Sequence, residues 1–509
     1  MSNLPTVHTG VAVPAKRFLR TGDEYKEAIN DGRQVWLDGE RVENVVEHPV
    51  TAGMVETHAR WYDLHNDPAW DDLLWRLDET GHRVPVCFTQ PRTAEELQLL
   101  AEALRASAFL NAGNVSHPAC WGMLLVGGLH EMLVTLELGG AERVGAYLER
   151  LCAEGRFLTG AYAPPQVARF KGEENRVIVH VVDERDDGIV VRGGFAIATG
   201  AVYADEVTSC PLPLPGARED EAIFFAFKVN APGVTVFLRK PATYSQDRYS
   251  YPLSTRFDEQ DVSIYLDNVF IPWESVFVHR NPATIGSLER HYSFQILAQL
   301  SRALARAEFS VGLALAAADS LGTGKVPAVE TALTDLFLHA ETLRTSIAAS
   351  VLDCEISPAG VAMPNMLHMA VGYMYAFENR AKTADTLRTL GGQSVITAPG
   401  LADLRSSENG YASELFGGGD LNAEQRTLLW NAIRDHTVST LEGREQIYTS
   451  LATAGSFTWR KRIIGRAGST EKMVADALAV IEESGACELP IRTRLGDAAV
   501  ATNPFDKTK

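Results

Sequence analysis

The sequence contains no run of about 18 apolar residues, which is the length that a helix needs to cross a lipid bilayer. Its first residues, MSNLPTVHTGVAVPAKRFLRTGDEY, include no continuous apolar stretch of the kind found in secretory signals. We therefore expect no membrane association and a cytoplasmic location.

Cysteine is scarce and dispersed. The six cysteines form no C-x-x-C pair and no cluster with histidine. This spacing argues against a zinc site or a disulfide framework and is typical of reduced thiols in a protein core. We predict no metal site.

Positive charge is in deficit. There are 47 Lys and Arg against 65 Asp and Glu, which gives a formal net charge of −18. Because a nucleic-acid surface must be basic, this balance argues against nucleic acid as a partner. A hydrophobic content of 46% and a charged content of 22% are those of an ordinary globular protein.

A nicotinamide-binding fingerprint is also lacking. No G-x-G-x-x-G follows a predicted strand and opens a helix, as a dinucleotide site requires. Any reduction by NAD(P)H is therefore expected to take place on another protein.

Hydrophobic periodicity divides the chain into three regions. The first is helix-rich, with N-caps predicted at Thr21 or Asp23 and at Thr93, where Glu96 completes a capping box. A short strand-like segment at 33–42 interrupts it. The second region alternates with period 2, which predicts strands of a small antiparallel sheet or barrel at 176–182, 188–192, 222–228, 234–239 and 262–271. Helices of a bundle are predicted at 302–319, 328–353, 363–388, 422–452 and 469–485.

The most specific sequence motif of the chain lies at the junction between the predicted strands and the predicted bundle. Residues 251–280 read YPLSTRFDEQDVSIYLDNVFIPWESVFVHR. This stretch resembles the 4-hydroxyphenylacetate 3-monooxygenase family, the oxygenase halves of two-component flavin monooxygenases. Five further stretches resemble the same family and occur in the family's order, at 20–53, 61–67, 179–207, 390–404 and 441–455.

The resemblance implies an α+β, mainly α, acyl-CoA dehydrogenase-like fold. It would comprise an N-terminal helical domain (1–152), a middle antiparallel β domain (153–280) and a C-terminal helical bundle with a tail (281–509). It also implies a homotetramer formed through the bundle.

The activity implied is hydroxylation of a small aromatic or heteroaromatic compound. A separate NAD(P)H-dependent reductase would supply FADH2 or FMNH2. Reaction with O2 through a C4a-hydroperoxyflavin would then deliver one oxygen atom to the ring.

Three stretches match the family's flavin contacts. They contribute Thr159, Tyr162, Gln166 and Arg169, then Thr199 and Gly200, and finally Gly443, Arg444 and Gln446. Hydroxyl, amide and guanidinium groups are suitable donors to a flavin. The alternatives are an ordinary connector for the stretch of Thr159 to Arg169, a β-turn for Thr199 and Gly200, and a solvated helix charge for Arg444.

The substrate segment departs from the family pattern. Where phenol-hydroxylating members carry Arg and Tyr, this chain has Ser116 and Cys120, and the family histidine falls on Thr159. We therefore expect a substrate other than 4-hydroxyphenylacetate. The predicted pocket is lined by Ser116, Cys120, Trp121 and Thr199.

His117 and His291 are the candidates for a catalytic base, because deprotonation makes a ring more nucleophilic. An ordinary surface or capping histidine is the alternative for each, and a core aromatic is the alternative for Trp121.

Three rival functions stay open. An acyl-CoA dehydrogenase would need a catalytic carboxylate such as Glu308 or Glu355. A dehydratase of the 4-hydroxybutyryl-CoA type would need clustered cysteine ligands for an iron–sulfur centre, which the spacing disfavours. A non-catalytic relative would not bind reduced flavin.

Overall fold

The computed structural model describes residues 20–78, 80–161, 163–165, 177–209, 218–288, 290–406, 410–451, 460, 463 and 470–485. Among these residues, no helix has the length and hydropathy required to cross a membrane.

The N-terminal part is mainly helical. Its elements are α1 (Gly22–Ile29), β1 (Gln34–Leu37), β2 (Glu40–Arg41), α2 (Ala52–Leu64), α3 (Asp71–Leu74), β3 (Trp75–Leu77), β4 (Arg83–Pro85), α4 (Ala94–Phe109), α5 (Trp121–Thr135) and α6 (Ala141–Glu154). Thr21 caps α1 in a complete capping box with Glu24. Thr93 caps α4 as predicted, but Glu96 accepts from the backbone N–H of Arg92.

The middle part supplies the strands. It contains β5 (Leu158–Ala161), β6 (His180–Arg185), β7 (Gly188–Thr199), β8 (Glu206–Ser209), β9 (Phe224–Lys228), β10 (Val234–Phe237), α7 (Ser254–Phe257), β11 (Asp261–Pro272) and β12 (Val276–Val278). The predicted strand at 176–182 begins only at His180, whereas the one at 188–192 continues to Thr199.

Among the described residues, the strands form two larger sheets and two two-stranded ones, β3-β4 and the pair of Glu355–Ile356 with Ala362–Met363. The six-stranded sheet has the order β2-β1-β10-β11-β7-β6, and the four-stranded sheet has the order β12-β9-β8-β5. Most neighbours are antiparallel, but β1 pairs with β10 and β5 pairs with β8 in parallel. The predicted insert at 33–42 therefore belongs to the six-stranded sheet, which together with the four-stranded sheet we call the β layer.

The C-terminal part is the predicted bundle. It contains α8 (Pro282–Gly286), α9 (Ser293–Ser320), α10 (Pro327–Leu352), β13 (Glu355–Ile356), β14 (Ala362–Met363), α11 (Met366–Gly391), α12 (Ser394–Thr397), α13 (Leu401–Arg405), α14 (Ala412–Phe416), α15 (Ala423–Thr437), α16 (Thr440–Leu451) and α17 (Thr470–Glu482). The long helices α9, α10 and α11 pack on one another, and α4 packs on α9.

The single helix predicted at 422–452 is in fact two, α15 and α16. The break follows from Ser439, whose hydroxyl donates to the carbonyl of Asp435 at 2.6 Å and accepts from the N–H of Glu442 at 3.4 Å. A serine that bonds to backbone on both sides ends one helix and caps the next.

Helix α5 runs through the core and sets the position of the site. Almost every side chain from Trp121 to Leu133 is buried. Two glycines allow close approach of backbone, since a Cβ at Gly122 would lie 2.5 Å from the carbonyl oxygen of Leu158 and one at Gly128 would lie 2.3 Å from that of His291. The helix is thus held against β5 near its start and against the 290–292 turn one to two turns later.

Candidate functional site

The segment 113–121, which leads into α5, crosses between the β layer and the bundle. Gly113 has a φ of +67°, and a Cβ there would lie 2.5 Å from Cβ of Arg306 on α9. Only glycine permits this approach. As a result, the backbone of Ser116 and His117 is buried beside α9 and the start of β11.

Glu259 anchors this segment from the turn between α7 and β11. Its two carboxylate oxygens accept the backbone N–H groups of Ser116 and His117, each at 2.9 Å, and one of them also accepts the Ser116 hydroxyl. Burial raises the pKa of Glu259, an effect that Arg444 and the Ser116 donors oppose. The FDEQD part of the junction motif (257–261) therefore contains the residue that holds the predicted substrate segment in place.

Arg444 on α16 connects the bundle to the same turn. Its Nε and Nη2 lie 2.7 Å from the two oxygens of Asp261, its Nη2 lies 3.2 Å from Glu259, and its Nη1 contacts Glu445. Although burial opposes ionisation, Arg444 holds the pKa of Asp261 below its usual value. All three guanidinium nitrogens contact carboxylates of the protein, so Arg444 holds the start of β11 and the bundle together.

Glu445 continues the charge network into the bundle. Its second oxygen accepts from Nη1 of Arg302 on α9 at 2.6 Å. Burial opposes ionisation here too, yet Arg302 and Arg444 lower the pKa of Glu445. Buried charges of this kind persist only when each one is paired.

His117 lies where these elements meet. Its Nδ1 is 2.8 Å from the carbonyl oxygen of Thr199 and 2.9 Å from the hydroxyl of Thr159. Because a carbonyl only accepts, Nδ1 carries the proton and Nε2 has a free lone pair. The hydroxyl of Tyr448 on α16 lies 3.2 Å from that Nε2 and donates to it. Burial lowers the pKa of His117 to about 3, so the ring is neutral near pH 7.

Two further residues complete the surroundings of His117. The indole of Trp121 stacks on the imidazole with ring centres 3.8 Å apart. Gln299 on α9 donates to the carbonyl of Ser116 at 2.9 Å and lies 3.5 Å from the hydroxyl of Tyr448. The imidazole and the phenol are therefore fixed in their relative positions.

The two predicted flavin segments of the β layer come together beside His117. Thr159 lies on β5 and Thr199 ends β7, and the Thr159 hydroxyl donates to the Thr199 carbonyl at 2.7 Å. Ala163 pairs with Ile197, which brings the loop after β5 alongside β7. The residues at 163–165 and 196–197 are all apolar and half-buried. Tyr162, Gln166 and Arg169 lie outside the described residues.

Gly200 forms the turn after Thr199. It has a φ of +74°, and a Cβ there would lie 3.6 Å from Cβ of His117. The turn therefore lies close to the start of the His117 side chain.

We call the following residues the His117 cluster: Ser116, His117, Trp121, Thr159, Thr199, Glu259, Asp261, Gln299, Arg302, Arg444, Glu445 and Tyr448. Other predicted residues lie outside it. Cys120 packs near Cys87, and burial raises the pKa of its thiol. Together with Ser116 it lines a small cavity of about 30 Å³. Gln446 donates to Glu442 at 3.1 Å, and a Cβ at Gly443 would meet no atom within 4 Å.

His291 is not part of the His117 cluster. Its ring lies among other aromatic rings, 3.9 Å from that of Tyr292 and 5.9 Å from that of Phe224, and its backbone packs on α5 at Gly128. The two candidate bases are therefore separated by the first turns of α5.

Several residues of the cluster were not selected from the sequence: Glu259, Asp261, Gln299, Arg302, Glu445 and Tyr448. Glu259 and Asp261 lie in the junction motif, and Glu445 and Tyr448 lie in the LEGREQIY stretch. The resemblance of these two stretches to the family was therefore the sequence signal that could have identified them. Among the described residues, no group of three or more His, Cys, Asp or Glu side chains is placed to hold a metal ion.

Comparisons with known proteins agree over both parts of the chain. The family described as "4-hydroxyphenylacetate 3-hydroxylase N terminal" matches residues 21–278, and the family described as "4-hydroxyphenylacetate 3-hydroxylase C terminal" matches residues 287–481. The FADH(2)-dependent monooxygenase TftD of Burkholderia cepacia is 29% identical over 92% of this chain and 94% of its own. The oxygenase component of a 4-nitrophenol 4-monooxygenase/4-nitrocatechol 2-monooxygenase from Rhodococcus opacus is 28% identical over 84% of each.

Solved structures show the same architecture. The oxygenase component of 4-hydroxyphenylacetate 3-monooxygenase complexed with FAD and 4-hydroxyphenylacetate superposes with a TM-score of 0.85 and 25% identity, covering 91% of this chain and 99% of its own. An archaeal 4-hydroxybutyryl-CoA dehydratase from N. maritimus has a TM-score of 0.82 at 22% identity, covering 95% of this chain and 98% of its own, and shares the fold. The predicted acyl-CoA dehydrogenase-like fold is thereby confirmed.

Proposed function

This chain belongs to the 4-hydroxyphenylacetate 3-hydroxylase family, and we propose that it is the oxygenase component of a two-component monooxygenase for a small aromatic or heteroaromatic compound. It is a flavin-dependent aromatic monooxygenase that uses reduced flavin and O2. The observation that carries the proposal is that Thr159, Thr199 and Tyr448, from three stretches that match the family, all contact His117.

The residues present fit a flavin. A flavin ring is flat and largely apolar, with polar atoms along its edge, and it needs the same combination in a protein surface. The half-buried apolar residues at 163–165 and 196–197 adjoin Thr159, Thr199 and Gly200 along the chain, and the two threonine hydroxyls are bonded within the protein, that of Thr159 to the Thr199 carbonyl and that of Thr199 to Asp261. These residues would hold the ring. FAD is the flavin in the solved relative, which supports FADH2 over FMNH2.

Reduced flavin, when bound, supplies the electrons that activate O2 for transfer of one oxygen atom to an electron-rich ring. The chain contributes a water-poor setting for that chemistry, since His117, Trp121 and Tyr448 are each less than a tenth exposed. Arg444 and Asp261 hold α16, and with it Tyr448, against the β layer.

We assign His117 the role of a neutral hydrogen-bond acceptor. Its Nδ1–H is fixed on the Thr199 carbonyl, which leaves Nε2 directed at a hydroxyl. With its pKa lowered to about 3 by burial, the imidazole polarises an O–H bond but does not retain the proton at pH 7. A substrate hydroxyl that shares this acceptor with Tyr448 becomes more electron-rich and is more readily attacked by an electrophilic oxygen.

The substrate differs from 4-hydroxyphenylacetate in this proposal. Ser116 is committed to Glu259, Cys120 faces the small cavity next to Cys87, and Thr159 is committed to Thr199. None of the three provides the charged or aromatic contacts that the family uses to hold a phenolate. Nitrophenols and chlorophenols are the substrates named for two relatives, and they are the first compounds to test.

The rival acyl-CoA dehydrogenase function receives no support at Glu308. That carboxylate forms ion pairs with Arg105 at 2.8 Å and with Arg344 at 2.7 Å. It is engaged between α4, α9 and α10.

Two partners follow from the family. A separate reductase is expected, because the relatives are oxygenase components. We also propose the homotetramer, supported by large apolar side chains that α10 leaves exposed, among them Leu338 at 58% and Leu352 at 83%. Cys87, Cys120, Cys152 and Cys354 are free thiols, which supports the cytoplasmic location that we propose.

The experiment is a coupled assay with an NADH:flavin reductase, FAD, isotopically labelled O2 and a panel of nitro-, chloro- and amino-phenols. Incorporation of one labelled oxygen into a product is the expected result. NADH consumption that yields only hydrogen peroxide for every compound would count against the monooxygenase proposal.

A further inference from the structure

A cavity of about 440 Å³ lies between α2, α4, α7 and α15, apart from the His117 cluster. Three guanidinium side chains line it: Arg60 on α2, Arg248 before α7 and Arg256 on α7. We call it the arginine cavity. Its volume is within the usual range for small-molecule sites, roughly 300–1,000 Å³.

Among the residues that the structure describes, none of the three arginines forms an ion pair with a carboxylate, although the chain as a whole carries a net charge of −18. Glu56 is the carboxylate that lines the cavity, and it is engaged with Lys26 at 2.7 Å. Burial and the charges of Arg248 and Arg60 lower the pKa of Arg256. Like charges gathered at one cavity are costly unless an anion joins them.

Part of the wall of the arginine cavity is apolar. Leu64, Leu110 and Leu428 form it, together with the edges of the buried Trp61 and Phe257. The guanidinium carbon of Arg256 lies 4.4 Å from the ring centre of Phe257, so a planar cation is stacked on an aromatic face at the wall. This combination suits a ring that bears a negative group better than it suits a bare inorganic ion.

The arginine cavity adjoins the proposed active site. Thr57, Trp61, Ser107 and Asn111 line it and also line the 30 Å³ cavity that reaches Ser116 and Cys120. The hydroxyl of Thr57 donates to the carbonyl of Arg256 at 3.0 Å, and Glu259 follows Arg256 by three residues. A ligand in the arginine cavity would therefore contact the backbone that leads to Glu259.

We propose that the arginine cavity is a binding site for an aromatic anion, a ring that carries a carboxylate or phenolate group. The anion pairs with Arg60, Arg248 and Arg256, and the ring packs against the partly exposed apolar side chains of Leu64, Leu110 and Leu428. This site is distinct from the surface assigned to the flavin, and its occupation requires neither flavin nor O2. Failure of the monooxygenase assay would thus leave this proposal standing, and the reverse also holds.

The test is calorimetric titration of the flavin-free protein with benzoate, with its neutral isostere benzamide and with inorganic phosphate. We expect benzoate to bind more tightly than both, with an affinity that falls as salt concentration rises. Arg60→Gln and Arg248→Gln change exposed side chains and should each weaken benzoate binding roughly tenfold or more, the loss expected for one charge-assisted hydrogen bond. Arg185→Gln, which removes an exposed positive charge on β6, is the matched control and should bind as the unchanged protein does.

Benzamide or phosphate bound as tightly as benzoate would overturn the proposal, because the cavity would then not recognise a ring with a charge. The same conclusion would follow if Arg60→Gln and Arg248→Gln bound benzoate normally. His117→Gln should leave benzoate binding intact, and loss of binding in that variant would place the ligand at the His117 cluster instead.

Discussion

Arg444 on α16 grips the carboxylate of Asp261, the first residue of β11, through two contacts of 2.7 Å across 183 positions of sequence. A bidentate pair of this kind fixes orientation as well as distance. Because Tyr448 is one turn further along α16, the pair sets the position of the phenol that faces His117. The contact between bundle and β layer is thus also the contact that builds the site.

Replacing Arg444 by Lys is expected to lower stability and disturb the site. An ammonium group cannot make both contacts with Asp261, and the variant leaves buried acceptors unsatisfied. We expect a loss of about 2 kcal/mol or more in unfolding free energy, measured as a lower midpoint in thermal or urea unfolding. Arg405→Lys alters an exposed pair with Glu424 and should leave the midpoint unchanged. Equal midpoints for both variants would contradict the role given to Arg444.

The two candidate bases can be separated by substitution. His117→Gln removes the fixed lone pair beside Tyr448, and we expect the yield of hydroxylated product per O2 consumed to fall roughly tenfold. His291→Gln, whose ring packs near Phe224 on the other side of the first turns of α5, should retain the yield. The measurement is product against oxygen uptake in parallel assays. A larger loss in His291→Gln would restore His291 as the catalytic histidine.

His58 makes stability depend on pH. Its ring is packed 4.7 Å from that of Phe157, and burial lowers its pKa to about 3. The unfolded chain takes up a proton near the usual histidine pKa of about 6.5, whereas the folded chain does not, so stability decreases as pH falls below that value. Between about pH 6.5 and about pH 5 this one group accounts for about 2 kcal/mol of that loss.

His58→Phe should therefore weaken the acid sensitivity. Its unfolding midpoint should change less between pH 6.5 and pH 5 than that of the unchanged protein. His82→Phe, at an exposed turn, is the control and should keep the original slope. Identical slopes for all three proteins would show that His58 does not titrate as its burial indicates.

Alanine substitutions at two adjacent glycines of α5 should have opposite effects on stability. A Cβ at Gly128 would lie 2.3 Å from the backbone oxygen of His291, whereas one at Gly127 would first meet the flexible side chain of Gln90 at 3.4 Å. Gly128→Ala should be strongly destabilising. Gly127→Ala should be neutral or stabilise by up to about 1 kcal/mol, because alanine favours a helix. Soluble yield and unfolding midpoints measure the difference, and a tolerated Gly128→Ala would contradict the close packing of α5 on the 290–292 turn.

Much of the fold could be predicted from the sequence. Apolar alternation identified β9, β10 and β11, and helical periodicity identified α9, α10 and α11, since both signals are local. The division of residues 422–452 into α15 and α16 escaped prediction, because it depends on the bonds made by one serine. The pairing of β1 with β10 escaped it as well, because sequence-distant strands carry no local sign of their partner.

The site was predictable only in part. Comparison with the family's motifs selected four residues that lie together in the structure: Ser116, His117, Thr159 and Thr199. The charges that hold them, Glu259, Asp261 and Arg302, look like ordinary surface charges in a sequence. Their pairing arises from residues more than 140 positions apart, which periodicity and spacing cannot reveal.

The most direct test of the account is anaerobic mixing of the protein with FADH2, followed by addition of O2 and rapid absorbance measurements, with FMNH2 in parallel. We predict that the protein binds FADH2 and that the bound flavin is reoxidised more slowly than free FADH2. We also predict that a suitable phenol is hydroxylated during that reoxidation. Reoxidation at the rate of free flavin, with no product from any phenol, would contradict the central claim.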